Sequence, residues 1–154
     1  MRIITTAIAA AIISMSGSVS AQTVTYVNVI IYNDLNGTSI GAQSLNCGGA
    51  YSCTPVGLSI PYNSSGTSYV KTTDVISGHW FENFGGYVGS QLNACQFNVS
   101  SPANFSGDCH SVSAFASTTN GSGGNPKCSY EAIAAPVLDI PNNKCTYTVK
   151  FHIK

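Results

Sequence analysis

Arginine is nearly missing from this chain: Arg2 is the only one, and it stands in an N-terminal segment that reads as removable. The remaining cations are Lys71, Lys127, Lys144, Lys150 and Lys154. Lysine presents charge as a point, whereas the planar guanidinium grips phosphate or carboxylate through two parallel hydrogen bonds. A nuclease, phosphotransferase or nucleotide binder built on arginine clamps is therefore excluded. Charge of either sign is scarce, at 8% of residues. Once Arg2 is gone, five lysines face six acids (Asp34, Asp74, Glu82, Asp108, Glu131 and Asp139). A near-neutral balance gives no field that would attract nucleic acid or an anionic membrane.

Long hydrophobic runs are also lacking. The most apolar stretch, Ile3 to Ile13, is broken afterwards by Ser14, Ser16 and Ser18. A spanning helix needs ~20 apolar residues. Arg2 as a basic start, a short apolar run and the small residues Val19-Ser20-Ala21 before a cut match a cleavable secretion signal over residues 1–21. The expectation is a single secreted domain over residues 22–154, starting at Gln22, large enough for a modest core. It should be extracellular and monomeric.

No C-x-x-C pair occurs, and the three histidines are scattered, so no metal site is expected. What the chain does hold is six cysteines, Cys47, Cys53, Cys95, Cys109, Cys128 and Cys145. An even number in a secreted chain argues for three disulfides. Fifteen pairings are possible; spacing favours sequence neighbours, Cys47–Cys53, Cys95–Cys109 and Cys128–Cys145.

Fifteen glycines, eight tyrosines and six phenylalanines accompany abundant Ser, Thr and Asn, a turn-rich and β-favouring composition. Period-2 alternation predicts strands over residues 23–32, 68–76, 79–84, 94–99, 110–116 and 129–135. Turns are predicted at Asn33-Asp34-Leu35-Asn36-Gly37 and Asn63-Ser64-Ser65-Gly66, and a Gly/Ser/Asn loop at 118–126. The last segment has the cleanest pattern: Tyr147, Val149, Phe151 and Ile153 face one way, and Thr146, Thr148, Lys150, His152 and Lys154 the other. It reads as a half-exposed antiparallel strand. No window carries a helical period over three turns. The fold class is all-β, a small disulfide-stabilised antiparallel β-sandwich or barrel.

Chemistry-bearing motifs are sparse. Six acids allow a carboxylate pair for glycoside hydrolysis, with Asp108 and Glu82 the least arbitrary choice. Asp108 and His110, two apart, would share a strand face as a proton-transfer pair. No G-x-S-x-G elbow exposes a serine. Asn33 to Gly37 fills part of a calcium loop but lacks carboxylates at Tyr32 and Gln43, so it reads as a hairpin turn. No catalytic residue, metal ligand or cofactor is assigned. Five glycosylation sequons stand at Asn36, Asn63, Asn98, Asn104 and Asn120. Trp80, Phe81, Phe84 and Tyr87, beside Gly85-Gly86, form a candidate aromatic platform for sugar stacking or a partner protein.

Phe84-Gly85-Gly86-Tyr87, followed by Gly107-Asp108-Cys109-His110-Ser111-Val112, resembles one Greek-key motif of the βγ-crystallin superfamily, with an aromatic-x-Gly corner ahead of a calcium segment. Asn33 to Ser39 resembles that segment with one extra residue. The whole layout, with a signal peptide, six cysteines and no catalytic signature, is similar to small secreted cysteine-rich effector proteins of fungi. That resemblance implies action by binding an extracellular protein or polysaccharide of the cell wall. The sequence also leaves open a small carbohydrate-active hydrolase and a structural or adhesive surface protein.

Overall fold

Ten-residue alternation in the first strand sets the architecture. In β1 (Val24–Asn33), Val27, Val29 and Ile31 are fully buried, while Asn28 between them is exposed. A strand with that pattern needs a cover on one face. A computed structural model, which describes residues 23–47, 52–54, 59–73, 77–103, 109–119 and 122–154, shows what supplies it. The further strands are β2 (Ile40–Asn46), β3 (Ser52–Thr54), β4 (Ser59–Ile60), β5 (Ser64–Thr73), β6 (Gly78–Val88), β7 (Gln91–Ser101), β8 (Ser113–Thr118), β9 (Cys128–Tyr130), β10 (Val137–Asp139) and β11 (Lys144–Ile153).

They form two sheets packed as a sandwich. Sheet 1 runs β10-β11-β1-β5-β3, with β9 also on β11; sheet 2 runs β4-β2-β6-β7-β8. The inner faces meet in an aromatic stack. Phe151 of β11 lies 4.7 Å from Phe97 of β7 and 6.1 Å from Trp80 of β6, ring centre to ring centre, and Phe84 lies 6.2 Å from Phe97. Offset rings at such separations add to the burial of their area. The fold class expected from the pattern is therefore the one observed, as a sandwich.

The terminal strand is corrected in one respect. Tyr147, Val149, Phe151 and Ile153 do form its inward row, but β11 pairs in parallel with β1 from Val24↔Lys144 to Asn33↔Ile153, and antiparallel only with β9 and β10. Parallel pairing needs a long crossover, and here nearly the whole chain lies between the two strands. Other boundaries also move. The segment at 129–135 is strand only to Tyr130, the segment at 110–116 becomes strand at Ser113, and the turn before β5 is shortened to Tyr62 and Asn63. The strand at Ile40–Asn46 was not foreseen.

Phe84 to Tyr87 form no Greek-key corner. They lie inside the continuous strand β6. The two glycines are needed for close approach: a Cβ on Gly86 would stand 2.5 Å from the Ser39 carbonyl oxygen, and one on Gly85 would stand 2.9 Å from the Ala94 methyl. The other crystallin-like segment is the β1–β2 turn. It is organised by Asn33, whose buried Nδ2 donates to the carbonyls of Thr38 and Ile60, each at 2.8 Å, while Oδ1 accepts from the Leu35 N–H at 3.1 Å. Gly37 takes φ 73°, where a Cβ is strained.

The disulfides are Cys47–Cys53, Cys95–Cys128 and Cys109–Cys145. Only the first of the neighbour pairings stands. Cys95–Cys109 and Cys128–Cys145 are corrected for a topological reason. Cys47 follows β2 and Cys95 sits in β7, both of sheet 2; Cys109 lies between β7 and β8 of the same sheet. Their partners Cys53, Cys128 and Cys145 lie in β3, β9 and β11 of sheet 1. Each bridge thus ties one sheet to the other. Three disulfides imply an oxidising compartment. No helix among the described residues is long and apolar enough to cross a membrane. The segment at 1–21, read as a secretion signal, lies outside the described residues.

Candidate functional site, the uncharged face of sheet 2

Strand β6 divides the aromatic platform expected from the sequence. Successive side chains of a strand point to opposite faces. Trp80 and Phe84 are fully buried in the sandwich core, whereas Phe81 is half-buried on the outer face and Tyr87 is 64% exposed. Trp80 and Phe84 are therefore corrected from binding to packing residues. Glu82 falls on the same inner face and is fully buried, so it is no surface acid for a hydrolase. Its proposed companion Asp108 lies outside the described residues, as do Asn104 and Asn120.

The cross-strand register gives Phe81 new neighbours. Asn46 of β2 pairs with Phe81 of β6, Phe81 with Asn98 of β7, and Asn98 with Phe115 of β8. One row therefore crosses four strands as Asn, Phe, Asn, Phe. The next rows hold Asn83, Gln96 and Ser117 on one side, and His79, Ser100 and Ser113 on the other. Phe115 is 57% exposed. Two strand spacings of ~4.8 Å set the backbones of Phe81 and Phe115 about 10 Å apart. Asn98, noted in the sequence only as a sequon, stands between them. Sequence reasoning missed Phe115, although Ser113, Phe115 and Ser117 alternate with Ala114 and Ala116. Pairing register, which brings Phe115 to Phe81, has no local signature.

Charge is partitioned between the two sheets. Among the described residues, no Asp, Glu, Lys or Arg lies on the outer face of sheet 2. Lys71, Asp139, Lys144 and Lys150 lie on strands of sheet 1. Asp34, Lys127 and Glu131 hydrogen-bond through their backbone N–H groups to Ile153, Lys154 and Lys150 at the β11 side of that sheet.

On sheet 1 the ionic groups are already engaged with one another. His152 presents Nδ1 to Asp34 Oδ2 at 3.1 Å and Nε2 to Glu131 Oε1 at 3.0 Å, and its ring stacks on Tyr32 with centres 4.8 Å apart. Lys150 Nζ donates to Glu131 Oε2 at 3.2 Å. The hydrogen bonds from His152 and then Lys150 hold the Glu131 carboxyl below its ordinary value, and Glu131 in turn raises Lys150. Lys144 sits over the Tyr26 ring at 4.4 Å. His152, on the outward face expected from the sequence, thus links three segments of the chain. A shallow depression of about 420 Å³ on this sheet is lined by Asn28, Ile30, Thr67, Ser68, Tyr69 and Thr148.

His110 is fully buried. Its Nδ1 lies 3.2 Å from Ser101 Oγ, its backbone N–H donates to Thr25 Oγ1 at 3.4 Å, and its backbone carbonyl accepts from the Tyr147 hydroxyl at 2.7 Å. Burial pushes the Tyr147 phenol above its ordinary value. An imidazole so enclosed cannot reach a substrate at the surface, which corrects its reading as half of a proton-transfer pair. Of the described sequons, Asn36 and Asn63 are exposed in turns, and Asn98 is half-buried on β7. No group of three or more His, Cys, Asp or Glu among the described residues could hold a metal ion. Comparison with protein-family models, with curated proteins and with solved structures finds no match to this chain.

Proposed function

We propose that this protein is a secreted binding protein of effector, toxin or inhibitor type, acting on an extracellular protein or cell-wall component and not by turnover. The observation that carries this reading is the outer face of sheet 2, where Phe81, Phe115 and Tyr87 stand among amides and hydroxyls with no described acid or lysine. Exposed aromatic rings gain more from an ordered partner than from water, and amides can both donate to it and accept from it. The described carboxylates support the same reading. Glu82 is buried, Asp34 and Glu131 are engaged by His152 and Lys150, and Asp139 accepts from the Asn142 amide at 2.8 Å. Acids held this way are poorly disposed to protonate a leaving group.

Secretion fits the three inter-sheet disulfides and the N-terminal signal read from the sequence. Of the described sequons, Asn36 and Asn63, exposed in turns, are the best placed to carry glycan. The test immobilises the oxidised protein and challenges it with host extracellular fluid and with a panel of polysaccharides. Retention of a partner that survives washing is the expected result. Nothing retained from either source would sink the proposal.

A further inference from the structure

The binding reading can be taken to a ligand class. We infer that the row Asn46-Phe81-Asn98-Phe115 on sheet 2 is a binding surface for an uncharged polysaccharide, an inference that rests on the binding-protein reading above.

Three properties of the face converge on that ligand. The first is its charge. The chain has few ionic groups, yet those described are gathered on or beside sheet 1 or, for Glu82, buried between the sheets. An acidic polysaccharide or a charged protein patch would find no counter-charge here among the described residues, while a neutral chain forfeits nothing. The second is the alternation of side-chain types. A pyranose ring presents an apolar C–H face that lies against an aromatic ring, and a rim of hydroxyls that donate and accept. Phe81 and Phe115 supply the rings. Asn46 and Asn98, with Gln96 in the next row, supply groups that donate and accept from the same side chain. The third is dimension. Two aromatic positions on backbones about 10 Å apart suit successive contacts along a disaccharide unit, so one extended chain could touch both and span the amide between them.

Rigidity adds to the fit. Phe81 and Asn98 sit on β6 and β7, which pair continuously from Gly78↔Ser101 to Val88↔Gln91, and Cys95 beside them is tied to Cys128. A sheet so braced loses little freedom when a ligand settles on it. Both phenylalanines point away from the core, so their truncation leaves the sandwich intact.

The experiment is co-sedimentation of the disulfide-intact protein with insoluble cellulose, chitin and β-1,3-glucan, with polygalacturonate as an anionic comparison. It uses the unaltered chain, Phe81→Ala, Phe115→Ala and Lys150→Ala, with thermal melts to confirm that each variant is folded. At least one neutral polymer should retain the protein, and each phenylalanine variant should bind it about tenfold more weakly, the size of one lost aromatic contact. Lys150→Ala, on the opposite sheet, should bind normally. Raising the salt to 0.5 M, where the Debye length is only about 4 Å, should change nothing.

Retention of a neutral polymer equally by Phe81→Ala and Phe115→Ala overturns the assignment of the face. Preference for polygalacturonate, or loss of binding in high salt, overturns the ligand class. So does capture of a protein partner with no polymer retained, an outcome that leaves the broader binding reading standing. A mass shift at Asn98 reversed by glycosidase would mean that the row carries the protein's own glycan, and would also overturn the inference.

Discussion

Removing the Cys109–Cys145 bridge by Cys109→Ala with Cys145→Ala tests the fold where the structure departs most from the spacing of the sequence. The bridge spans a sequence separation of 36. In the chain-entropy picture, closing a loop of that length removes freedom from the unfolded chain worth about 3.8 kcal/mol. The Cys47–Cys53 bridge, with a separation of 6, gives about 2.2 kcal/mol on the same arithmetic. A chain of this size has a net stability on the order of 10 kcal/mol, so the longer bridge supplies a large share of it. With an unfolding entropy of ~2.1 cal/mol/K per residue, the midpoint should fall by roughly 14 °C without Cys109–Cys145 and by about 8 °C without Cys47–Cys53. Cys145 is buried, so filling its place with alanine adds to the first figure. Calorimetry of the two double variants, each confirmed free of mispaired thiols, reads both shifts. The ranking carries the argument: a larger fall for Cys47–Cys53, or a fall under ~3 °C for Cys109–Cys145, would refute it. Peptide mapping of the unreduced protein checks the connectivity directly, with fragments joined as Cys95 to Cys128 and Cys109 to Cys145. Because those two bridges interleave along the chain, their combined removal should not equal the sum of the separate costs.

Asn33→Ala should cost about 1–3 kcal/mol, read by urea unfolding, because it strips partners from the Thr38 and Ile60 carbonyls and the Leu35 N–H at once. Gly86→Ala should be destabilising by ~1–3 kcal/mol, since its methyl meets the Ser39 carbonyl, which is backbone and cannot swing aside. At low pH the sign follows from Glu131. Its folded value is depressed, so its contribution is present above about 4.5 and is lost as pH falls through the depressed value. Melts between pH 2 and 7 should therefore show a shallower acid limb for Glu131→Gln. Tyr147 has the opposite sense: raised by burial, its contribution holds below about 10 and fades as pH rises beyond it. Tyr147→Phe should flatten the alkaline limb while losing about 1 kcal/mol at neutral pH with its hydrogen bond to the His110 carbonyl.

Much of the sandwich was legible as local alternation. β1 and β11 declare their buried faces through Val27, Val29 and Ile31, and through Val149, Phe151 and Ile153, because each inward residue is apolar. β2 hid for a physical reason. Ile40-Gly41-Ala42-Gln43 has weak apolar contrast, and a bulge between Ala42 and Ser44 breaks the period of two. Gly85-Gly86 read as a corner because glycine marks turns; here it allows close approach to Ala94 and Ser39 in an unbroken strand.

The candidate site divides along the same line. Composition and local pattern set the scarcity of arginine, the six cysteines and the all-β class, since each is a property of residue types and short-range periodicity. Which cysteines join, that β11 runs parallel to β1, that Trp80 and Glu82 point inward while Phe81 points outward, and that Phe115 lies in the Phe81 row were decided only in three dimensions. A strand's period of two says that neighbours face opposite ways, but not which face the other sheet will cover. Pairing register joins residues that are far apart in the chain, and no short stretch of sequence encodes it.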